Sequence, residues 1–225
     1  MAVLYKAYSS PPVRCVMMVA DILNIKYESQ EINPLLREQD SPEMTKKNPM
    51  RTIPTWEEDN FVLGDSHAII LYLFDKYAKP EHYYLYPKDK QIRAKVNLRL
   101  FFDCGVLFPR LRSVMAPTYM GRLTEMSNSM RKNIDDSYRV LEAYLSDTVY
   151  LADDVITLAD ISVVSTLATL NGLRPIDRFP KLKRWYDKMC EEDFVKRINM
   201  PGAQEHIEGL LTLMEMNKSK LKSHI

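Results

Sequence analysis

The sequence predicts a mixed α/β unit over residues 1–79, a linker over 80–88 and an all-helical unit over 89–225. Short apolar runs of period two, punctuated by Pro, Ser and Asx turns, lie between Val3 and Leu63 and point to the first unit. A connector from Lys79-Pro80-Glu81-His82 to Tyr86-Pro87-Lys88 marks the boundary. Beyond Asp89 apolar residues recur at spacings of three and four, the period of a helix.

Val3 to Tyr8 reads as a strand ended by Ser9-Ser10-Pro11-Pro12. Proline is tolerated in a first helical turn, where its missing N–H is not needed, so a helix follows through Val13, Met17, Ala20 and Leu23 to about Asn24. Lys26 to Ile32 alternates as a second strand, and Pro34 to Lys47 is turn-rich with room for one short helix. Thr55-Trp56-Glu57 and Phe61-Val62-Leu63 flank Glu58-Asp59-Asn60 as a hairpin. Asp65 or Ser66 is placed to cap a helix through Phe74. In the second unit Asp89 to Val114 reads as one long helix, with Pro109 predicting a bend. A second helix is expected from about Arg122 to Leu145. Thr157-Leu158-Ala159-Asp160 fits a capping box opening a buried helix, with Gly172 as its stop. Lys181–Glu191 and Pro201–Met216 are expected to be helical, and 218–225 a solvated lysine-rich tail.

Composition narrows the function classes. The chain has 225 residues, 46% apolar and 27% charged, with net charge +1. That balance carries no broad electrostatic attraction for nucleic acid or acidic membranes. No apolar run reaches membrane-span length, and the start lacks a signal peptide's apolar core. Cys15, Cys104 and Cys190 are odd in number and far apart, which fits reduced thiols rather than disulfides or a zinc site. A cytoplasmic protein without a metal is the expectation.

Two stretches carry chemistry. Ser10-Pro11-Pro12-Val13-Arg14 puts a small hydroxyl between a strand and a helix start. Asn48-Pro49, Thr52-Ile53-Pro54-Thr55 and Asp65-Ser66-His67-Ala68-Ile69 follow, the last placing an acid and a hydroxyl at a helix N-terminus, where N–H groups favour a carboxylate. Ser10 alone can also be a plain helix cap, Ile53-Pro54 a loop proline, and His67 a surface histidine. With Arg99-Leu100, Phe102-Asp103 and the Thr157–Asp160 box, these motifs make the chain resemble a cytosolic glutathione transferase of the insect delta and epsilon type. The resemblance spans nearly the whole length.

It implies a thioredoxin-like first domain, an all-α second domain and a homodimer. Glutathione is the implied cosubstrate, added to small hydrophobic electrophiles in detoxification of foreign compounds. A thiol with an ordinary pKa of about 8.5 must be ionised to attack, and each unit of lowering needs about 1.4 kcal/mol of preference for the thiolate. A hydroxyl donor and a helix N-terminus supply such a preference, and Ser10 is the implied catalytic residue. Ser9 is a competitor, as is Tyr8, since tyrosine does this work in other classes. The implied glutathione set is Gln39, Arg51, Thr52, Ile53, Pro54, Asp65, Ser66 and His67. In it a cis Pro54 exposes the Ile53 backbone, Ser66 takes the γ-glutamyl carboxylate and Asp65 its amine.

Relatives often carry His at the positions of Gln39 and Arg51, and Glu at Asp65. Arg51 keeps a fixed positive charge for the glycine carboxylate. Val13, Phe108, Leu111, Arg112, Met115, Thr118 and Tyr119 are expected to line the electrophile site. Steroid-hormone-linked epsilon-type relatives carry an acid where this chain has Leu111, so that role is not carried over. A non-catalytic carrier of hydrophobic ligands on the same fold is the alternative, and peroxide reduction stays open as a side activity.

Overall fold

The computed structural model describes residues 1–222. Strand β1 (Ala2–Lys6) leads into α1 (Pro11–Ile22), then β2 (Glu28–Glu31) and the short α2 (Pro42–Lys47). The hairpin β3 (Thr55–Glu58) and β4 (Phe61–Gly64) precedes α3 (Ser66–Tyr77). The sheet order is β2-β1-β3-β4, with β1 parallel to β2 and the other pairs antiparallel. Trp56 and Leu4 are fully buried beneath α1 and α3, which supply Val16, Met18, Ile69 and Leu73 to the same core. β2 is an exposed edge along its whole length, so its Glu-Ser-Gln-Glu sequence follows from position rather than propensity.

After a 3₁₀ segment at Pro80–Leu85 the chain is helical: α4 (Lys90–Phe102), α5 (Phe108–Tyr119), α6 (Asn128–Tyr144), α7 (Leu158–Leu173), α8 (Pro180–Glu191) and α9 (Met200–Lys222). α7 is buried on nearly every side and packs against α1, α4 and α9, so it joins the two parts. Among the described residues no helix is long and apolar enough to cross a membrane.

Several boundaries differ from expectation, each for a local reason. The helix predicted from Asp89 to Val114 is broken by a π turn at Asp103–Leu107, closed by Phe108 N–H donating to Asp103 five residues back. Pro109 follows at once. Proline has no N–H for the carbonyl four residues earlier and crowds it; widening the preceding turn relieves that crowding. A second π turn, Val195–Asn199, closes with Met200 N–H on Val195, and again a proline, Pro201, follows. α6 begins at Asn128 rather than near Arg122, because Ser127 caps it through Met130 N–H. Gly172 is not a stop: it lies inside α7, where an added Cβ would come within 2.3 Å of Ile207 on α9. Residues 218–222 continue α9 instead of forming a tail; 223–225 lie outside the described residues.

The capping box at α7 is formed as predicted, and it reaches further. The buried Asp160 carboxylate accepts from Thr157 N–H and hydroxyl, Leu151 N–H and the Trp185 indole, at 2.8–2.9 Å. It thereby ties α7 to α8 and to the segment before it. Burial pushes Asp160 up, and these donors oppose the shift. Asp160→Ala strands buried donors at about 1–3 kcal/mol each. Urea denaturation should therefore show a loss of about 3 kcal/mol or more, whereas Asp153→Ala, at a half-buried position in the loop before α7, should change stability far less.

Candidate active site

A cleft of about 430 Å³ runs between the first unit and helices α5, α7 and α9. Ser10 stands at its floor, at the N-cap of α1, with its N–H donating to Ala7 O at 3.0 Å. Its side chain makes no capping hydrogen bond, and Pro12 removes one of the two N–H donors such a bond would use. The hydroxyl is thus not spent on the helix it precedes. Tyr8 is directed elsewhere: its hydroxyl donates to Arg197 O at 3.4 Å, and it does not line this cleft.

The Ile53–Pro54 bond is cis. The loop carrying it is held by Asn48, whose amide donates to Thr52 O and Thr55 Oγ1 at 3.0 Å and accepts from Met50 N–H at 3.1 Å. Gly64 makes room for that side chain, since a Cβ there would meet Asn48 Nδ2 at 2.8 Å. Arg51, at φ +53°, opens onto the same cleft. Asp65 caps α3, its Oδ1 accepting from His67 N–H at 2.9 Å and Ala68 N–H at 3.2 Å. It does so at φ +68°, ψ +122°, a strained conformation for a side-chain-bearing residue.

All eight residues of the expected glutathione set line this cleft, as do Ser10, Phe108, Arg112, Met115 and Tyr119. Val13, Leu111 and Thr118 do not: each is 1% exposed or less, packed in the interior. The correction follows from α5. Its core face is Leu111, Val114 and Thr118, and the adjacent stripe Phe108, Arg112, Met115 and Tyr119 faces the cleft. The expected set combined residues from both stripes. Val13 points inward because α1 buries that side.

His67 is not a surface residue. Its side chain is 16% exposed, with Nε2 3.3 Å from Asp103 Oδ2 and 3.0 Å from Ser162 Oγ, and Nδ1 3.5 Å from Asp65 Oδ1. Burial works against its charge, but Asp103 and Asp65 outweigh it and raise His67 to about 9. Asp65, in turn, is lowered chiefly by its hydrogen bond to His67. Asp65, His67 and Cys104 bring one potential ligand atom each to within 4.8 Å of one another. As the chain stands, His67 pairs with both Asp65 and Asp103, so the grouping is an ion-pair cluster. Asp103, Cys104, Ser162 and His206 also line the cleft. Sequence reasoning missed them as site residues; only Asp103 lay in a quoted motif.

Because an unfolded histidine titrates near 6.5, the stabilisation from charged His67 is complete below that pH and is lost as pH rises through about 9. Thermal melts between pH 6.5 and 9.5 should therefore show the parent losing a few degrees more than His67→Gln; parallel losses would contradict the assignment.

Comparison with known proteins agrees with this geometry. Residues 4–81 match the family model for the glutathione S-transferase N-terminal domain, and residues 114–193 the model for its C-terminal domain. Glutathione S-transferase 1 of Manduca sexta is 38% identical over 203 residues, covering 88% of this chain and 92% of that protein. An epsilon-class glutathione S-transferase from the housefly Musca domestica superposes with a TM-score of 0.88 at 38% identity, covering 98% of each chain. A glutathione transferase homologue from Drosophila mojavensis, solved with bound glutathione, gives 0.87 at 34% identity over 96% of this chain and 97% of that one. The two-part fold and the cleft between its parts are those of the glutathione S-transferase family, to which this chain belongs.

Proposed function

We propose that this chain ionises glutathione's thiol at Ser10 and adds it to small, mostly apolar electrophiles. Family membership makes it a glutathione transferase with glutathione as cosubstrate. The observation that carries the residue assignment is the Ser10 hydroxyl. It sits at a helix N-terminus, free of any capping bond, in one cleft with the Ile53 backbone edge and the start of α3. There it donates a hydrogen bond to the sulfur, and the helix terminus favours negative charge beside it.

The remaining residues hold the peptide. The Ile53 backbone next to cis Pro54 pairs with it as a strand edge does. Ser66 and the N-terminus of α3 take the γ-glutamyl carboxylate. Asp65 caps with Oδ1, which leaves Oδ2 for the γ-glutamyl amine. Arg51 pairs with the glycine carboxylate. Gln39 Oε1, buried and without a hydrogen-bond partner among the described residues, is an acceptor kept for ligand. Phe108, Arg112, Met115 and Tyr119 form the wall for the electrophile. The working form is a cytoplasmic homodimer acting in detoxification.

Ser10→Ala should cut kcat strongly and raise the pKa of bound glutathione's thiol, read from thiolate absorbance, while glutathione affinity changes much less. Near-normal turnover in Ser10→Ala with a large loss in Tyr8→Phe would move the role to tyrosine.

Arg51→Ala should raise glutathione KM more than it lowers kcat, since that pairing is present in ground and transition states alike. Salt should weaken glutathione binding in the parent more than in the variant. Equal affinities by calorimetry would remove Arg51 from the site.

A further inference from the structure

The ion-pair cluster around His67 has the make-up of a metal centre. Asp65, His67 and Cys104 each bring one potential ligand atom to within 4.8 Å of the others, and all three line the cleft. A carboxylate, an imidazole and a thiolate are the donors that a borderline-soft dication such as zinc takes. Around a tetrahedral ion of that kind, oxygen and nitrogen ligands stand roughly 3.3–3.6 Å apart. Asp65 Oδ1 and His67 Nδ1 are already 3.5 Å apart. Cys104 is exposed, so its side chain has room to turn toward them. It lies on the π turn Asp103–Leu107, the kind of widened turn that recurs at functional sites. Asp65 and His67 open α3 in the first unit, whereas Cys104 follows α4 in the second. No ligand spacing therefore shows in the sequence.

The groups behind His67 suit a ligand. His67 Nε2 is 3.3 Å from Asp103 Oδ2, and the Ser162 hydroxyl donates to the same oxygen. A histidine that binds a metal through one ring nitrogen commonly donates its other N–H to a carboxylate, which sets the tautomer and the direction of the ring. Asp103, 2% exposed, is placed to do this for His67 and leaves Nδ1 toward Asp65. Asp103 Oδ1 has no hydrogen bond among the described residues, so its charge is not spent elsewhere. Charge also favours the exchange. A dication that displaces the His67 and Cys104 protons leaves the net charge of the cluster unchanged, since two protons leave and two positive charges arrive. The carboxylates that pair with a charged His67 thus hold the ion as well.

We propose that Asp65, His67 and Cys104 form a binding site for a zinc-class dication, with Asp103 as the positioning residue behind His67, and that the bound ion shuts glutathione out. The ion takes no part in the transfer reaction. Its effect on glutathione rests on the reading given above, in which Asp65 Oδ2 holds the γ-glutamyl amine. That amine is a cation, and a dication on the same carboxylate repels it. Access to the cosubstrate thereby depends on free zinc.

The test uses the untagged full-length protein, freed of glutathione and chelator. Calorimetry should show one zinc ion bound per chain. Cobalt in its place should give the near-ultraviolet sulfur-to-metal absorption of a bound thiolate. Cys104→Ser should abolish that band and weaken zinc about ten-fold or more, whereas Cys190→Ser should keep both. Asp103→Asn should weaken zinc roughly ten- to a hundred-fold. S-methylglutathione keeps the γ-glutamyl end but has no free thiol to chelate zinc. It should bind the zinc-loaded parent about ten-fold or more weakly than the zinc-free one. No zinc on the parent, or equal zinc affinity in the parent and Cys104→Ser, would overturn the metal site and leave the transferase reading standing, because turnover is measured in chelator. If the parent holds zinc through Cys104 but binds S-methylglutathione as before, the exclusion of glutathione is overturned. Unchanged S-methylglutathione affinity in zinc-free Asp65→Ala would then trace that failure to the placing of the amine. A zinc-free parent that does not bind S-methylglutathione at all would overturn the functional reading itself.

Discussion

The arrangement turns on one buried cation. The Arg14 guanidinium is fully enclosed, and its four partners are Ser9 O, Ser165 O, Asn199 Oδ1 and Thr169 Oγ1, none of them a carboxylate. Burial alone would make such a charge costly, and it pushes Arg14 down to about 9, still charged at neutral pH. Each acceptor offsets part of that cost, and each comes from a different place: the turn before Ser10, two levels of α7, and the π turn before α9. Loss of the cation would release all of them together. Gly202 shows how closely the chain closes round it, since a Cβ there would meet Tyr8 O at 2.6 Å and Arg14 Cδ at 2.7 Å. The position of Ser10 is therefore fixed by helices more than a hundred residues further along the chain, and not by its own strand and helix alone.

The two π turns serve the same construction. Asp103 and Cys104 lie on the first, and Asn199, which accepts from Arg14, on the second. A widened turn carries one more residue than an α turn and so shifts the phase of everything after it. Asp103 opens the first turn beside His67 and Ser162, and the stripe from Phe108 to Tyr119, which follows the widened turn, faces the cleft.

What was legible in the sequence was local. The Thr157–Asp160 box, the acid opening α3 and the hairpin around Asp59 are set by neighbours a few residues apart, so their residue types announce them. The eight residues expected to hold glutathione lie on or beside such features and line one cleft, although their individual roles came through resemblance rather than periodicity. Of the residues expected to line an electrophile site, only some reach the cleft. Phe108, Met115 and Tyr119 were placed correctly in the cleft, but Leu111 was drawn in because spacings of three and four fit two adjacent stripes of one helix equally well. His206 and Ser162 gave no signal at all: they meet Tyr119 and His67 across 87 and 95 residues, and only packing creates those contacts.

The cleft also differs from the rest of the interior in how its polar groups are used. Buried polar atoms normally find a protein partner. Here Gln39 Oε1 and Asp103 Oδ1, of residues lining the cleft, have no hydrogen bond among the described residues, and Asp65 beside the same cleft is held in a strained backbone conformation. Stability is given up at these points, and it is given up in the same cleft as the Ser10 hydroxyl that caps nothing. The compensating interactions lie deeper, in the satisfied Arg14 network between the two parts and the satisfied Asp160 network within the helical part. A rigid, fully bonded frame behind a wall of uncommitted donors and acceptors lets a ligand be met by groups already in place, with little reorganisation left for the moment of reaction.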